Sequence, residues 1–153
     1  MTGMKTLLLA RGLLALFLDA RSMAQTAAAD PTNHDLENIQ GTWRVATLEA
    51  DGQPAPREIV STLKLVFKDD ALAFKPGEPG YTNYKFTLGP ATNPRTLIMT
   101  HVDGPAKGES QKCIYRLINN QLMICVGSVK QRPTGFKTSA GSGCGMYTLE
   151  RDN

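Results

Sequence analysis

The chain has 153 residues, enough for one domain with a buried core, and its 41% hydrophobic and 20% charged residues are typical of a globular protein. Its net charge is +3, but the first 24 residues contribute two of these positive charges through Lys5, Arg11, Arg21 and Asp19. The remainder is close to neutral, so the charge gives no indication of a nucleic-acid-binding surface.

The N-terminal segment has the layout of a secretory signal peptide. Lys5 precedes an apolar run over residues 7–18, and Ser22 and Ala24 supply small residues at the −3 and −1 positions of a cleavage site. Arg11 lies inside the apolar run, so an uncleaved anchor or a misassigned start is the alternative. The pattern predicts a cleaved signal peptide.

Cleavage there predicts three segments: a signal peptide over residues 1–24, a linker over residues 25–34 and a folded domain over residues 35–153. The protein is then expected to be exported and to be periplasmic or extracellular. No later apolar run reaches the roughly 20 residues that a membrane helix needs, so no membrane span is expected after cleavage.

The domain is predicted to begin with a short helical turn over residues 35–40. Asn33 or Asp35 is the candidate N-cap, since both side chains can accept from a free backbone N–H. Leu36 and Ile39 would then lie beneath the floor of the structure that follows.

From Trp43 onward, apolar and polar residues alternate with a period of two, which is the signature of half-buried strands. One helical turn is expected after Pro56, and Asn119 and Asn120 form a two-residue hairpin turn. The predicted strands cover residues 43–48, 63–67, 71–75, 81–88, 95–100, 112–118, 121–126, 134–138 and 146–151. These segments indicate about eight strands on roughly ten-residue spacing. Sequential hairpins without a long crossover favour a single antiparallel up-and-down β-barrel over a sandwich.

A short motif at the first strand and an arginine at the last strand together resemble a known pattern. The Gly41-Thr42-Trp43 motif opens the first strand and Arg151 closes the last, a pattern similar to lipocalin-like barrels, in which the Arg lies over the indole. Such a contact is worth about 0.5–2 kcal/mol and joins the first strand to the last. Trp43 and Arg151 are therefore interpreted as structural closure. A ligand platform at Trp43 is the alternative.

A longer stretch also resembles a known family, the small lipocalin-like domain that recurs in planctomycete proteins. The matching segments are residues 35–43, 49–52, 63–67, 88–94, 114–115, 122–125, 132–136, 141–143 and 150–151. The resemblance implies a lipocalin-like barrel over essentially the whole domain. It implies no reaction, because the family has no assigned function.

The phase of each strand predicts which side chains point into the barrel. They are Val45, Leu65, Phe67, Phe74, Phe86, Met99, Tyr115, Ile124 and Leu149. Eight strands enclose a space that is either filled by side chains or holds one small ligand. The first hypothesis is therefore non-catalytic binding of a small apolar or amphipathic molecule, with Tyr115 as the polar contact, because a buried hydroxyl needs a partner.

The second hypothesis is a filled barrel that serves as a protein-interaction module or as a structural part of the cell envelope. The loops at residues 54–61 and 77–81 would then be its contact surface. Arg132 in a later loop has two interpretations. It either anchors a carboxylate or phosphate at the barrel mouth or fastens its own loop.

No pattern indicates an enzyme or a cofactor. His101, Asp103 and Cys113 lack the spacing of a known metal site, and residues 141–145 are Gly-rich without a following helix to cradle a phosphate. A nucleophilic Cys144 activated by His101 is an alternative that no pattern supports. We therefore expect no catalytic residues, no metal and no cofactor.

The three cysteines leave at least one thiol unpaired. A two-residue turn at Asn119 and Asn120 places Cys113 opposite Val126, and Ile114 opposite Cys125. Cys113 and Cys125 then lie on opposite faces of the sheet, which disfavours a bond between them. Cys144 is left as a partner for either one.

Overall fold

The computed structural model describes residues 30–75 and 82–153. The predicted signal peptide, residues 25–29 of the predicted linker and the predicted contact loop at residues 77–81 lie outside the described residues. Within the described ranges the chain forms two helices and nine strands. The helices are α1 (Pro31–Ile39) and α2 (Arg57–Val60). The strands are β1 (Gly41–Ala50), β2 (Gln53–Pro54), β3 (Lys64–Lys68), β4 (Ala71–Phe74), β5 (Thr82–Gly89), β6 (Arg95–His101), β7 (Ser110–Ile118), β8 (Gln121–Val126) and β9 (Gly145–Arg151).

The strands form one closed antiparallel barrel. β1 and β3–β9 follow one another around the wall in chain order, and β9 returns to pair with β1 over Trp43↔Arg151 to Ala50↔Gly145. The short β2 pairs only with the end of β1. Eight strands therefore make up the wall, and the predicted all-β, single, up-and-down barrel is confirmed.

Helix α1 is longer than the predicted turn and begins earlier. The Asp30 carboxylate accepts from the N–H of Thr32 at 2.9 Å, and Pro31 occupies the first turn. An Asp followed by Pro is a strong helix start, because proline has no N–H to leave unpaired there. The cap is therefore Asp30, neither Asn33 nor Asp35 as predicted, and residues 31–34 of the predicted linker are helical.

The helix covers one end of the barrel, which we call the floor. Ile39 is fully buried and Leu36 packs against the core, as expected from the sequence. The Gln40 side chain exchanges two hydrogen bonds with the backbone of Asp69, in the turn between β3 and β4. β4, β6 and β8 end at the opposite end of the barrel, which we call the mouth.

The predicted strand at residues 134–138 is wrong. These residues belong to a long connection between β8 and β9, residues 127–144, which we call the outer strap. Phe136 packs under the Arg116 guanidinium at 4.6 Å instead of joining a strand ladder, and Ile114 and Cys125, on the outer face of the wall, are fully buried. A segment that packs onto the outside of a sheet can alternate apolar and polar residues just as a strand within the sheet does, so the sequence pattern does not distinguish the two.

Of the helices in the described ranges, neither has the length and apolar character needed to cross a membrane.

Candidate functional site

The side chains predicted to point inward all lie on the inner face of the barrel. Val45, Leu65, Phe67, Phe86, Met99, Tyr115, Ile124 and Leu149 belong to one core cluster with at most 5% exposure, and Phe74 packs against it partly buried. Each of these positions follows from the alternation of its strand.

These side chains fill the barrel from the floor upward. Phe67 and Phe86 meet edge to face with ring centroids 5.1 Å apart, and Trp43, Leu97 and Leu149 have no exposed surface. Barrels of eight strands have an interior that side chains alone can occupy. The deep interior is therefore a packed core.

The floor is closed by Trp43 and Arg151. The Arg151 guanidinium lies 4.4 Å from the centre of the indole ring and donates to the carbonyls of Gln40 (2.7 Å) and Asn38 (2.6 Å) at the end of α1. The indole N–H donates to the Ile39 carbonyl at 2.8 Å. Gly41 has a φ of 109°, and a Cβ there would stand 3.2 Å from Arg151, so the Gly-x-Trp motif leaves the room that the arginine occupies.

A buried carboxylate lies beside this closure. Asp35 is 4% exposed. It accepts from the Tyr115 hydroxyl at 2.5 Å and from Arg95 at 3.0 Å. Burial and then the hydrogen bond to Asp35 raise the pKa of Tyr115. The sequence indicated that Tyr115 needs a partner. It did not identify Asp35, which is 80 positions away and had been interpreted as a helix cap.

Aromatic rings cover the core at the mouth of the barrel. Phe74 meets Tyr84 at 5.6 Å and Tyr147 at 5.8 Å, and Tyr84 meets His101 at 4.4 Å. Burial raises the pKa of both tyrosines. Within the described part of the chain, neither hydroxyl has a hydrogen-bond partner. The inner side chains with polar atoms near the mouth are therefore Tyr84 and Tyr147, which were not among the residues predicted to bind a ligand.

Arg132 lies on the outer strap and not on the rim of the mouth. Its guanidinium donates to the carbonyl of Cys113 at 2.5 Å and is 3.4 Å from that of Leu97, on neighbouring strands. Of the two interpretations of Arg132, this geometry is the one in which it fastens its own loop.

The cysteines follow the predicted register. Cys113 pairs with Val126, and Ile114 pairs with Cys125. Cys113 belongs to the inner core, whereas Cys125 is buried on the outer face beneath the strap, so the two lie on opposite sides of the wall. In the described structure all three thiols are free.

One sizeable cleft lies on the outer wall at the floor end of β7, where the sequence had indicated no site. It has a volume of about 710 Å³, and we call it the β7 cleft. The residues that line it include Arg95, Arg116, Leu117, Ile118, Met123 and Phe136. Two of them are arginines, and among the described residues no carboxylate lines the cleft. Ile118 is 57% exposed.

The cleft exists because β6 stops before β7 does. Their register ends at Arg95↔Tyr115, whereas β7 continues beside β8 to Ile118. Lys112 exchanges backbone hydrogen bonds with residues on the β8 side. Backbone groups alternate sides along an antiparallel strand, so Leu117 turns its N–H and C=O to the opposite side. That side is the cleft, and no strand within residues 30–75 and 82–153 pairs there.

No family model, curated protein or solved structure matches this chain. In residues 30–75 and 82–153, no three His, Cys, Asp or Glu side chains lie close enough together to hold a metal ion. The geometry offers two candidate sites. They are the mouth aromatics and the β7 cleft.

Proposed function

We propose that this protein is an exported, non-catalytic interaction module, a lipocalin-like barrel that serves as a filled scaffold and binds an extended, acidic peptide segment of a partner in the β7 cleft. The observation that carries the proposal is the contrast between the two sides of the wall. Inside, the deep side chains are packed together, whereas outside a cleft of about 710 Å³ borders an unpaired strand edge.

The backbone supports an extended partner. An open strand edge offers N–H and C=O groups that a peptide can pair with by adding a strand, and such binding obtains affinity from the main chain and specificity from neighbouring pockets. Leu117 supplies one such pair of groups. Ile118 and Met123 provide apolar surface beside it for alternate side chains of the peptide.

The charges support an acidic partner. Arg95 is already paired with Asp35, but its side chain is 43% exposed. Arg116 has no carboxylate within salt-bridge distance among the described residues, and its guanidinium is held in place over Phe136. A planar guanidinium held in this way is suited to a bidentate contact with a carboxylate.

A display library of short random peptides, panned against the immobilised protein, tests this proposal. We expect the selected peptides to be rich in Asp, Glu and β-branched residues. Arg116→Glu should weaken their binding about 10-fold or more, since a charge-assisted hydrogen bond is lost and a repulsion is gained. Lys107→Glu makes the same charge change in an exposed turn at the mouth end and should leave binding unchanged.

Amide chemical shifts show where such a peptide binds. The resonance of Leu117 should move on titration with a selected peptide, together with those of its neighbours on β7. Selected peptides without acidic residues, or peptides that bind the Arg116→Glu variant as tightly as the wild type, would contradict the proposal.

A second candidate function is binding of a small apolar or amphipathic molecule at the mouth. The observation that favours it is the ring cluster of Phe74, Tyr84 and Tyr147, with two hydroxyls that lack a partner among the described residues. Such a ligand would lie above the packed core, against the rings and not among Leu65, Phe86 and Met99.

A further inference from the structure

We propose that Cys125 and Cys144 form a disulfide bond that fastens the outer strap to the barrel wall. The inference stands apart from the proposed function, because it depends only on the positions of the three thiols. The sequence left Cys144 as a possible partner of either other cysteine, and the structure distinguishes between them.

The register of the wall brings Cys125 and Cys144 to the same face. Cys125 on β8 pairs with Met146 on β9, and Cys144 lies two positions before Met146. Cys144 lies one residue before β9 begins, and its carbonyl accepts from the N–H of Asp51 at 3.1 Å, so the pairing with β1 continues one position beyond the strand. Because residues two apart on an extended chain share a face, we expect Cys144 and Cys125 to be diagonal neighbours on the outer side. Cys113 belongs to the inner core cluster, so the wall of the barrel lies between it and the other two thiols.

Lys137 of the outer strap contacts one of these two thiols and lines a cleft together with the other cysteine. The Cys125 thiol donates to the carbonyl of Lys137 at 3.9 Å. Cys144 lines a cleft of about 320 Å³ together with Lys137.

The backbone around Cys144 permits the small closing movement that a bond requires. Diagonal neighbours on a sheet have Cα atoms about 7–8 Å apart, slightly beyond the usual span of a disulfide. Cys144 stands just outside β9 with glycines at 143 and 145, and Gly141 and Gly143 have φ values of 73° and 65°. Glycine accommodates such changes without a steric cost.

The reaction requires a disulfide-containing oxidant, such as oxidised glutathione or a thiol oxidoreductase. Cys144, the more exposed thiol, loses its proton and attacks one sulfur of the oxidant, and the first reduced thiol leaves. Cys125 then loses its proton and attacks the Cys144 sulfur of the mixed disulfide, and the second reduced thiol leaves. Two protein thiols are oxidised to one disulfide, and the oxidant disulfide is reduced to two thiols.

Tryptic mapping under non-reducing conditions tests the proposal, because the three cysteines fall on separate peptides: residues 113–116, 117–130 and 138–151. After incubation of the folded protein with oxidised glutathione, we expect a linked pair of the second and third peptides, two hydrogens lighter than their sum. The peptide with Cys113 should react with iodoacetamide only after unfolding, because burial raises the pKa of Cys113 to about 12 and excludes the reagent.

Variants and thermal stability complete the test. Cys113→Ala should keep the linked pair, whereas Cys125→Ser and Cys144→Ser should each abolish it. Closing a loop of this length is expected to raise the Tm of the oxidised protein by about 10 °C over the reduced protein. This increase should be absent in Cys144→Ser. A linked peptide that contains Cys113, or three alkylated cysteines after oxidation, would overturn the proposal.

Discussion

Replacing Trp43 with alanine is expected to lower the free energy of unfolding by about 3–5 kcal/mol, the cost of removing a buried aromatic side chain. The indole has no exposed surface, and its N–H is bonded to the Ile39 carbonyl. Alanine would leave a cavity at the floor. It would also remove the ring on which the Arg151 guanidinium lies. Arg151 connects the last strand to the end of α1, so that connection would be weakened as well. Urea denaturation measures the loss.

Arg44→Ala is the matched control for Trp43→Ala. Arg44 is the neighbour of Trp43 on β1 and faces outward, where its guanidinium pairs with Glu150 at 2.5 Å with both side chains about half exposed. An exposed pair of this kind contributes up to about 1 kcal/mol. A loss for Trp43→Ala as small as that of the control would contradict the structural role of the indole.

Asp35→Ala is expected to cost about 3 kcal/mol, because it removes a charged hydrogen bond and leaves the buried Tyr115 hydroxyl without a partner. The side chain of Asp35 also ties α1 to the start of β6 through Arg95. Tyr115→Phe alone should cost about 1.5–3 kcal/mol, the usual value of a hydrogen bond to a charged group. Both losses are measured by urea denaturation at neutral pH.

The double variant gives the sharper result. Asp35→Ala combined with Tyr115→Phe should be clearly more stable than the sum of the two losses indicates, since no buried hydroxyl is then left unpaired. Strict additivity would show that the two side chains do not interact.

The alkaline pH range gives an independent check on Tyr115. The pKa of Tyr115 is raised above its ordinary value of 10.0 in the folded protein. Its contribution is therefore fully present below about pH 10 and is lost as the pH rises further. The difference in stability between the wild type and Tyr115→Phe should be constant up to about pH 10 and should shrink above it.

The sequence predicted most of the barrel because its strands follow a local rule. The period-two alternation placed Val45, Phe86 and Leu149 on the inner face, where the structure has them. The two-residue turn predicted the register of β7 and β8 down to Ile114↔Cys125, and Asn119 indeed adopts a positive φ of 53°. Each of these features is determined by residues a few positions apart.

The features that the sequence did not predict depend on contacts between distant segments. Asp35 meets Tyr115 only because α1 folds under the barrel. Phe136 belongs to a strap because Arg116 offers it a surface on the outer wall. The β7 cleft arises from the difference in length between two strands, because the pairing with β6 ends at Tyr115 whereas β7 continues to Ile118. No local pattern encodes such a difference.

We propose above that the barrel is a filled scaffold whose partner binds outside. Native mass spectrometry of the mature protein purified from its own host, before and after extraction with an organic solvent, tests it most directly. We expect the mass of the bare polypeptide in both spectra. A discrete additional mass that disappears on extraction would contradict it and would favour a small ligand held at the mouth by Phe74, Tyr84 and Tyr147.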